Sequence, residues 1–168
     1  MLTHTIDFVP VSTKISHRSE WEERRNGLGI LAARLLFAVQ DELYARLEAA
    51  GYNDLTRAHG SVIAHLDQAG TRATELARRS GRHRQVIGRI VDELEELGYV
   101  ERRPEKEDRR AKLVVPTTRG LELMQFSDSV VAELEQRQRV AVGEQEFERF
   151  RRTLSVIVDS LAKAWDSV

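Results

Sequence analysis

A run of arginines with no acidic residue among them is the strongest chemical signal in this 168-residue sequence. Between Arg78 and Val91 there are five arginines and no Asp or Glu, at positions 78, 79, 82, 84 and 89. A second group of cations follows in the segment Asp108-Arg109-Arg110-Ala111-Lys112. Guanidinium groups remain charged near neutral pH and bind phosphate oxygens through paired hydrogen bonds. Both segments are therefore candidates for contact with a polyanion.

The elements predicted around these cations are two short helices followed by a hairpin. The pattern predicts helices over Thr74–Ser80 and His83–Leu97, each ended by a glycine, and strands over Tyr99–Arg103 and Lys112–Val115. This is a helix-turn-helix with a β-wing, which places the arginine pair at the tip of the hairpin. Such a unit fits duplex DNA, because its second helix can enter the major groove while the wing reaches the backbone or the minor groove.

The overall charge of −1 hides a division between two parts of the chain. Residues 72–119 contain 13 Lys and Arg against 9 Asp and Glu, a net charge of +4, and the remainder carries −5. A protein with one face toward DNA and an acidic far side has this distribution. The acids at 92, 93, 95 and 96 are expected to face away from phosphate.

Long helices are predicted on both sides of this central unit. Apolar residues recur every three or four positions over Glu20–Ala50 and Glu144–Trp165, and further helices are predicted over Thr56–Asp67, with Thr56 as N-cap, and from Thr118 to about Val142. The fold class is therefore mainly α with a small β-wing. The apolar stripes of the terminal helices predict pairing with a second copy, and the alternative is that they pack on the chain's own core.

We divide the chain accordingly. We expect residues 1–18 to form a flexible N-terminal arm and residues 19–168 to form a single domain. Within that domain, a winged helix-turn-helix core over 55–117 lies between dimerisation helices over 20–50 and 118–166.

Several other function classes find no support in the sequence. Zero cysteines exclude disulfides, thiolate metal sites and thiol redox switches. We expect no membrane span and no signal peptide, and hence a cytoplasmic protein. No nucleophile motif, phosphate-binding glycine loop or paired carboxylates suggest an enzyme, and no cofactor is expected. The five histidines do not cluster at metal-ligand spacing, so no metal site is predicted, although one assembled across a dimer stays open.

Asp108-Arg109-Arg110 is followed by a predicted strand and then by Pro116-Thr117-Thr118-Arg119-Gly120. This order resembles the Asp-x-Arg hairpin, strand, Leu-Thr pair and glycine of the MarR family of bacterial winged-helix transcription regulators. The segment from Leu76 to Arg103 is similar to its recognition helix and first wing strand. The resemblance extends over 20–165 in element order and spacing, with Pro116 in place of the family's leucine.

The resemblance implies a homodimer on a near-palindromic duplex DNA site. Two recognition helices would occupy successive major grooves and two wings the flanking minor grooves. The family usually represses a nearby gene and releases DNA when a small, often aromatic or anionic, effector binds. The alternative function is a winged-helix protein–protein adaptor without specific DNA binding, against which the acid-free arginine run argues.

The predicted DNA contacts lie at the start of the second helix and on the wing. They are Arg82, His83, Arg84, Gln85, Arg89, Arg109, Arg110 and Lys112. A bidentate pair from Gln85 can read adenine, and an arginine can read guanine or hold phosphate. Three alternatives stay open: Arg110 braces the hairpin through Asp108, Arg109 points to the opposite face of the ribbon, and Arg89 pairs with a nearby acid such as Asp92 or Glu93.

The resemblance also places an effector pocket between the first two helices, the start of the helix after the wing, and the DNA-binding lobe. The candidate pocket residues are Phe37, Tyr44, Arg57, His59, His65 and Met124. Their polar groups could meet a carboxylate or a phenol. The alternative is that each of them fills the core or faces solvent.

Overall fold

The computed structural model describes residues 27–105 and 111–165, with side chains as far as Leu161. The chain forms two compact units, residues 1–38 and 39–168. The described part of the first unit is helical from Leu28 onward. The predicted arm over 1–18 and the beginning of the helix predicted from Glu20 lie outside the described residues. The fold class is confirmed as mainly α, with a small antiparallel sheet.

Six helices and three strands make up the described chain. In chain order they are α1 (Leu28–Ala49), α2 (Gly60–Ile63), β1 (Thr71–Arg72), α3 (Ala73–Ser80), α4 (Arg84–Glu96), β2 (Val100–Pro104), β3 (Lys112–Pro116), α5 (Thr118–Val142) and α6 (Glu144–Trp165). None of the described helices is long and apolar enough to cross a membrane.

The predicted helix-turn-helix is confirmed within one or two residues at each end. Helix α3 ends at Gly81, whose φ of 64° lies in the left-handed region that glycine enters without a steric penalty. Helix α4 begins after His83, an extended N-cap residue whose Nδ1 accepts a hydrogen bond from the Gln85 N–H. The turn between the two helices is closed by the Arg82 N–H, which donates to the Ala77 carbonyl.

The predicted hairpin is also confirmed, and a third strand joins it. Strands β2 and β3 are antiparallel, with Val100 opposite Pro116 and Pro104 opposite Lys112. The additional strand β1 pairs with the other edge of β3, so the order in the sheet is β1-β3-β2. The sequence did not predict β1, because two residues are too few to show alternation.

The helix predicted over Thr56–Asp67 is wrong in extent. Only Gly60–Ile63 is α-helical, and Thr56 does not cap it. The Thr56 N–H donates to His59 Nδ1, and its carbonyl accepts from the Tyr44 hydroxyl at 2.9 Å. These contacts hold the segment before α2 in turns, and the short helix itself contains Gly60 and Ser61, which favour helix weakly.

The hydrophobic core lies under the winged unit. One face of α4 is buried and packs with the sheet, the surrounding helices and α5. The buried residues of this core include Ile87, Ile90, Val91 and Leu94 of α4, together with Leu76, Val62, Tyr99, Val100, Val114 and Leu123 from other elements. Burying each large aliphatic side chain contributes about 1.5–3 kcal/mol. Because these residues fix one face of α4, its opposite face is presented to solvent.

Helix α5 begins directly after the sheet, and its first turn contains Gly120, a position that only glycine fits. The Thr117 hydroxyl caps the helix by accepting from the Gly120 N–H at 3.1 Å. A Cβ on Gly120 would lie 2.0 Å from the Tyr99 carbonyl oxygen. The close approach of backbone to backbone therefore anchors α5 directly to the winged unit.

Candidate nucleic-acid interface

The turn before α4 and the first turn of the helix form an exposed cationic surface of the winged unit. Arg82, His83, Arg84 and Gln85 are all exposed, because the buried face of the helix begins only at Ile87. The ring of His83 is partly committed, since its Nδ1 accepts the Gln85 N–H and leaves Nε2 to carry the proton. Within the part of the chain that the structure describes, neither Arg82 nor Arg84 forms an ion pair.

Arg78 and Arg79 are held by two acids that precede the acid-free run, Glu75 on the same helix and Asp67 before it. Glu75 accepts hydrogen bonds from both Arg78 and Arg79, at 2.6–2.8 Å. Hydrogen bonds from Arg78 and then Arg79 lower the pKa of the Glu75 carboxyl from its usual 4.5 to about 2. Arg79 also binds Asp67 at 2.9 Å. Although the run contains no acidic residue, two of its arginines are therefore paired with acidic side chains that lie outside it.

Arg89 has an acidic neighbour but is only loosely paired with it. Its Nε is 3.7 Å from the Glu93 Oε1, one helical turn further along α4, and its side chain is 72% exposed. This is the alternative anticipated from the sequence, in a loose form. An exposed pair of this kind stabilises by only about 0.2–1 kcal/mol, so a phosphate can compete for the guanidinium.

The wing carries one predicted contact that the structure describes. Lys112 is exposed and lies opposite Pro104 at the loop end of the hairpin, with no ion pair among the described residues. The two arginines predicted to make wing contacts, Arg109 and Arg110, lie outside the described residues. Their roles therefore stay predictions.

A residue that the sequence did not single out, Arg102, connects the wing to α4. Its guanidinium binds Asp92 at 2.5 Å and also Glu95, and its N–H donates to Glu95 at 2.9 Å. The acids at the end of α4 therefore orient the first wing strand. Only the antiparallel return of β2 along α4 brings these groups together, so no local spacing reveals the contact.

A second network missed from the sequence joins the winged unit to the start of α5. Tyr99 is fully buried, and its hydroxyl donates to Asp54 at 2.6 Å. Arg119 binds the other oxygen of Asp54 at 2.8 Å, and its guanidinium lies 4.2 Å from the centre of the Tyr99 ring. Burial, and then the bond to Asp54, raise the pKa of the Tyr99 hydroxyl. The network fixes the winged unit against the loop after α1 and the helix after the wing.

A cavity of about 270 Å³ lies beside the core in the second unit. Most of its lining is aliphatic, and the polar side chains of the lining are Tyr44, His59, Ser127 and Asp128. Of the predicted effector residues, Tyr44, His59 and Met124 line this cavity. Among the described residues that line it, none is Arg or Lys.

The remaining predicted effector residues lie elsewhere. Arg57 is paired with Asp41 near a separate, shallower depression. His65 is half-buried outside the lining, where burial and then the charge of Arg79 lower its pKa. Phe37 belongs to the first unit and is 56% exposed. Of the three basic side chains predicted to meet a carboxylate or a phenol, the structure therefore brings His59 to the cavity, but not Arg57 or His65.

The described residues also contain no group of three or more His, Cys, Asp or Glu side chains that could hold a metal ion.

Comparison with known proteins agrees with this geometry. A family model described as the MarR family matches residues 53–111. CouR from Rhodococcus jostii RHA1, solved with p-coumaroyl-CoA, is 27% identical and has a TM-score of 0.65, over 77% of this chain and 90% of that one. The transcriptional regulator PA3341 is 28% identical with a TM-score of 0.68, over 82% and 99%.

A structure of the repressor CouR bound to a 23-mer DNA duplex has the same fold, with 24% identity and a TM-score of 0.66 over 87% of this chain and 99% of that one. No curated protein matches the chain significantly. The matched segment 53–111 contains the whole helix-turn-helix and the beginning of the wing. The segment 53–111 thus matches the MarR family of winged-helix transcription regulators, and the chain shares the fold of solved regulators of that kind.

Proposed function

We propose that this regulator binds a near-palindromic operator in duplex DNA as a homodimer and represses the promoter there, releasing DNA when a small ligand binds. The observation that carries the proposal is the pair of exposed guanidinium groups, Arg82 and Arg84, at the start of α4. Neither has an acidic partner among the described residues, while Arg78, Arg79 and Arg102 are each held by acids.

The start of α4 supplies both kinds of group that duplex recognition requires. Arginines there contact phosphate or the O6 and N7 of guanine, and Gln85 offers a bidentate pair to adenine. The wing lysine Lys112, with Arg109 and Arg110, contacts the adjacent backbone or minor groove. The DNA-bound structure of CouR supports this assignment, because the two chains share one fold.

The terminal helices support the homodimer. On α6, Phe150, Val158 and Leu161 lie on one side of the helix and are each more than half exposed, and the first unit exposes apolar residues along α1 as well. An apolar face of this kind marks an interaction surface. We assign it to a second copy, which would place two α4 helices on one duplex with two-fold symmetry.

The dimer is tested by substituting glutamate for exposed apolar residues of α6, where the fold of one chain should not be affected. Because Phe150 and Leu161 are exposed, F150E/L161E should leave the fold intact and give monomers in sedimentation, with operator affinity reduced more than tenfold. The matched control is R152E on the same helix, which should stay dimeric. A wild-type chain that sediments as a monomer at micromolar concentration contradicts the proposal.

The cavity supports a small and largely apolar ligand. Its aliphatic lining offers hydrophobic burial, and Tyr44, Ser127 and Asp128 offer hydrogen bonds. With an aspartate and no cation among the described lining residues, the cavity favours a neutral phenol over the aromatic acid expected from the sequence. A ligand releases DNA only when it binds the DNA-incompetent dimer better than the competent one.

The ligand class is tested with 2-naphthol and 2-naphthoate, two compounds of similar shape that differ in charge. The neutral compound should raise the Tm of the free protein and weaken the operator complex. Stronger effects from the carboxylate would overturn the assignment of ligand charge.

The DNA proposal itself is tested by selecting duplexes from a randomised library. Wild-type protein should enrich a sequence with two inverted half-sites, and enrichment of no sequence would contradict it.

A further inference from the structure

One carboxylate in this structure lies between a buried histidine and an exposed arginine of the recognition helix. The Glu93 Oε2 is 3.1 Å from the Nε2 of His59, and its Oε1 is 3.7 Å from the Nε of Arg89. His59 is 4% exposed, whereas the Arg89 side chain is 72% exposed. A side chain that never reaches DNA is therefore linked, through one group, to a side chain that can.

The hydrogen bonds of His59 fix its tautomer. Its Nδ1 lies 3.1 Å from the Thr56 N–H, which can only donate, so Nδ1 must be the unprotonated acceptor. The ring proton is then on Nε2, from which it is donated to Glu93. Both ring nitrogens are occupied, one by the turn before α2 and the other by α4. His59 therefore orients the Glu93 carboxylate as well as filling the core.

We infer that His59 is a positioning residue that sets the affinity for DNA by holding Glu93 away from Arg89. The inference rests on the proposed function, in which Arg89 binds a phosphate. While His59 retains one oxygen of Glu93, the pair with Arg89 stays loose, and phosphate can take the guanidinium. Without that hydrogen bond, Glu93 turns fully to Arg89 and competes with DNA.

The same link supplies an input to DNA binding. His59 lines the cavity, and both of its nitrogens are already bonded. A ligand in the cavity that accepts the hydrogen bond from Nε2 of His59 must replace Glu93 as the acceptor. It would thereby tighten the pair between Glu93 and Arg89 and lower the affinity for DNA. The cavity and α4 are coupled through a single exchange of hydrogen-bond partners.

Two substitutions of His59 separate its two hydrogen bonds. Asparagine places an oxygen near the position of Nδ1 and cannot reach Glu93, whereas glutamine places an amide N–H near the position of Nε2. H59N should therefore keep the Thr56 bond and lower DNA affinity about two- to fivefold, the range of an exposed ion pair. H59Q should bind DNA as wild type does, although loss of the Thr56 bond lowers its Tm.

The sign of the effect is tested at Glu93. E93Q cannot form an ion pair with Arg89 and should tighten DNA binding about two- to fivefold. The double variant H59N/E93Q should bind as E93Q does, because no carboxylate remains to be released. In an R89A background, both single changes should lose their effect on affinity.

The measurement is fluorescence anisotropy with a duplex that the wild-type protein selects from a randomised library. Equal weakening by H59N with and without E93Q would overturn the inference, as would weakening by H59Q as large as that by H59N. If H59N does not fold, the cycle of E93Q and R89A decides, and an unchanged affinity in E93Q overturns the inference. A wild-type protein that binds no duplex overturns the proposed function and the inference with it. Wild-type binding combined with additive effects overturns the inference alone.

Discussion

The two ends of helix α4 carry charged side chains in opposite arrangements. Its first turn presents Arg84, close to Arg82 of the preceding turn, and neither has an acidic partner among the described residues. Its last turns present Asp92, Glu93 and Glu95, which hold Arg102 or approach Arg89. A basic sequence is therefore not the same as an available cation. An arginine is available to phosphate where the fold brings no carboxylate to it.

The largest effect is expected at the free end. R82A/R84A removes two unpaired guanidinium groups and should weaken operator binding by tenfold or more. If both bind phosphate, the slope of log affinity against log salt becomes shallower by about 1.8, since each phosphate contact contributes about 0.9. Anisotropy at several salt concentrations measures both quantities. R152A, which removes an exposed arginine from α6, is the control, and an equal loss in that variant would break the comparison.

A smaller effect on binding is expected at the held end. R102A leaves Asp92 and Glu95 without their partner and frees the first wing strand from α4. We expect a loss of about 1–3 kcal/mol in the free energy of unfolding, since these hydrogen bonds join charged groups. DNA affinity should fall about threefold to tenfold as the wing loses its orientation, by analogy with the loss of one to two contacts. Denaturant unfolding and anisotropy check the two effects.

The variant R102K sharpens this prediction. A lysine keeps the charge but cannot bind Asp92 and Glu95 together with the planar geometry of a guanidinium. R102K should therefore remain closer to R102A than to wild type in stability. Full recovery in R102K would show that only the charge of residue 102 matters, and that the wing needs no directional brace.

The smallest effect is expected at Glu75, where a substitution removes one acidic partner of Arg78 and of Arg79. E75Q should tighten DNA binding about two- to fivefold, the range of an exposed ion pair. Because the pKa of Glu75 is lowered in the folded state to about 2, its ionised form stabilises the fold above about pH 4.5. That contribution disappears as the pH falls toward 2. The difference in Tm between wild type and E75Q should shrink over this interval, and a constant difference would contradict the assignment.

The fold was predictable from the sequence wherever one element carries its own signal. Gly81 and Gly98 ended the helices of the helix-turn-helix, as their type predicts. The prediction over Thr56–Asp67 was wrong because the backbone of Thr56 bonds to Tyr44 and His59 instead of continuing a helix. Tertiary contacts therefore determine the backbone conformation of that segment, and no local sequence pattern shows them.

Some of the ion pairs around the predicted DNA contacts could be predicted from the sequence, and others could not. The pairing of Arg78 and Arg79 with Glu75 follows helical spacing and could have been found in the sequence. The bond between Arg102 and the acids of α4 could not, because it depends on how β2 returns along the helix. The same holds for His59 and Glu93, which are 34 residues apart.

The central claim is that the first turn of α4 contacts the bases of duplex DNA. Photo-crosslinking with benzoylphenylalanine in place of Gln85, and separately in place of Arg152, tests it most directly on a duplex selected by the wild-type protein. We predict crosslinks from position 85 to bases at two symmetry-related positions, and none from position 152. A bound duplex that crosslinks at position 152 and not at position 85 would contradict the account.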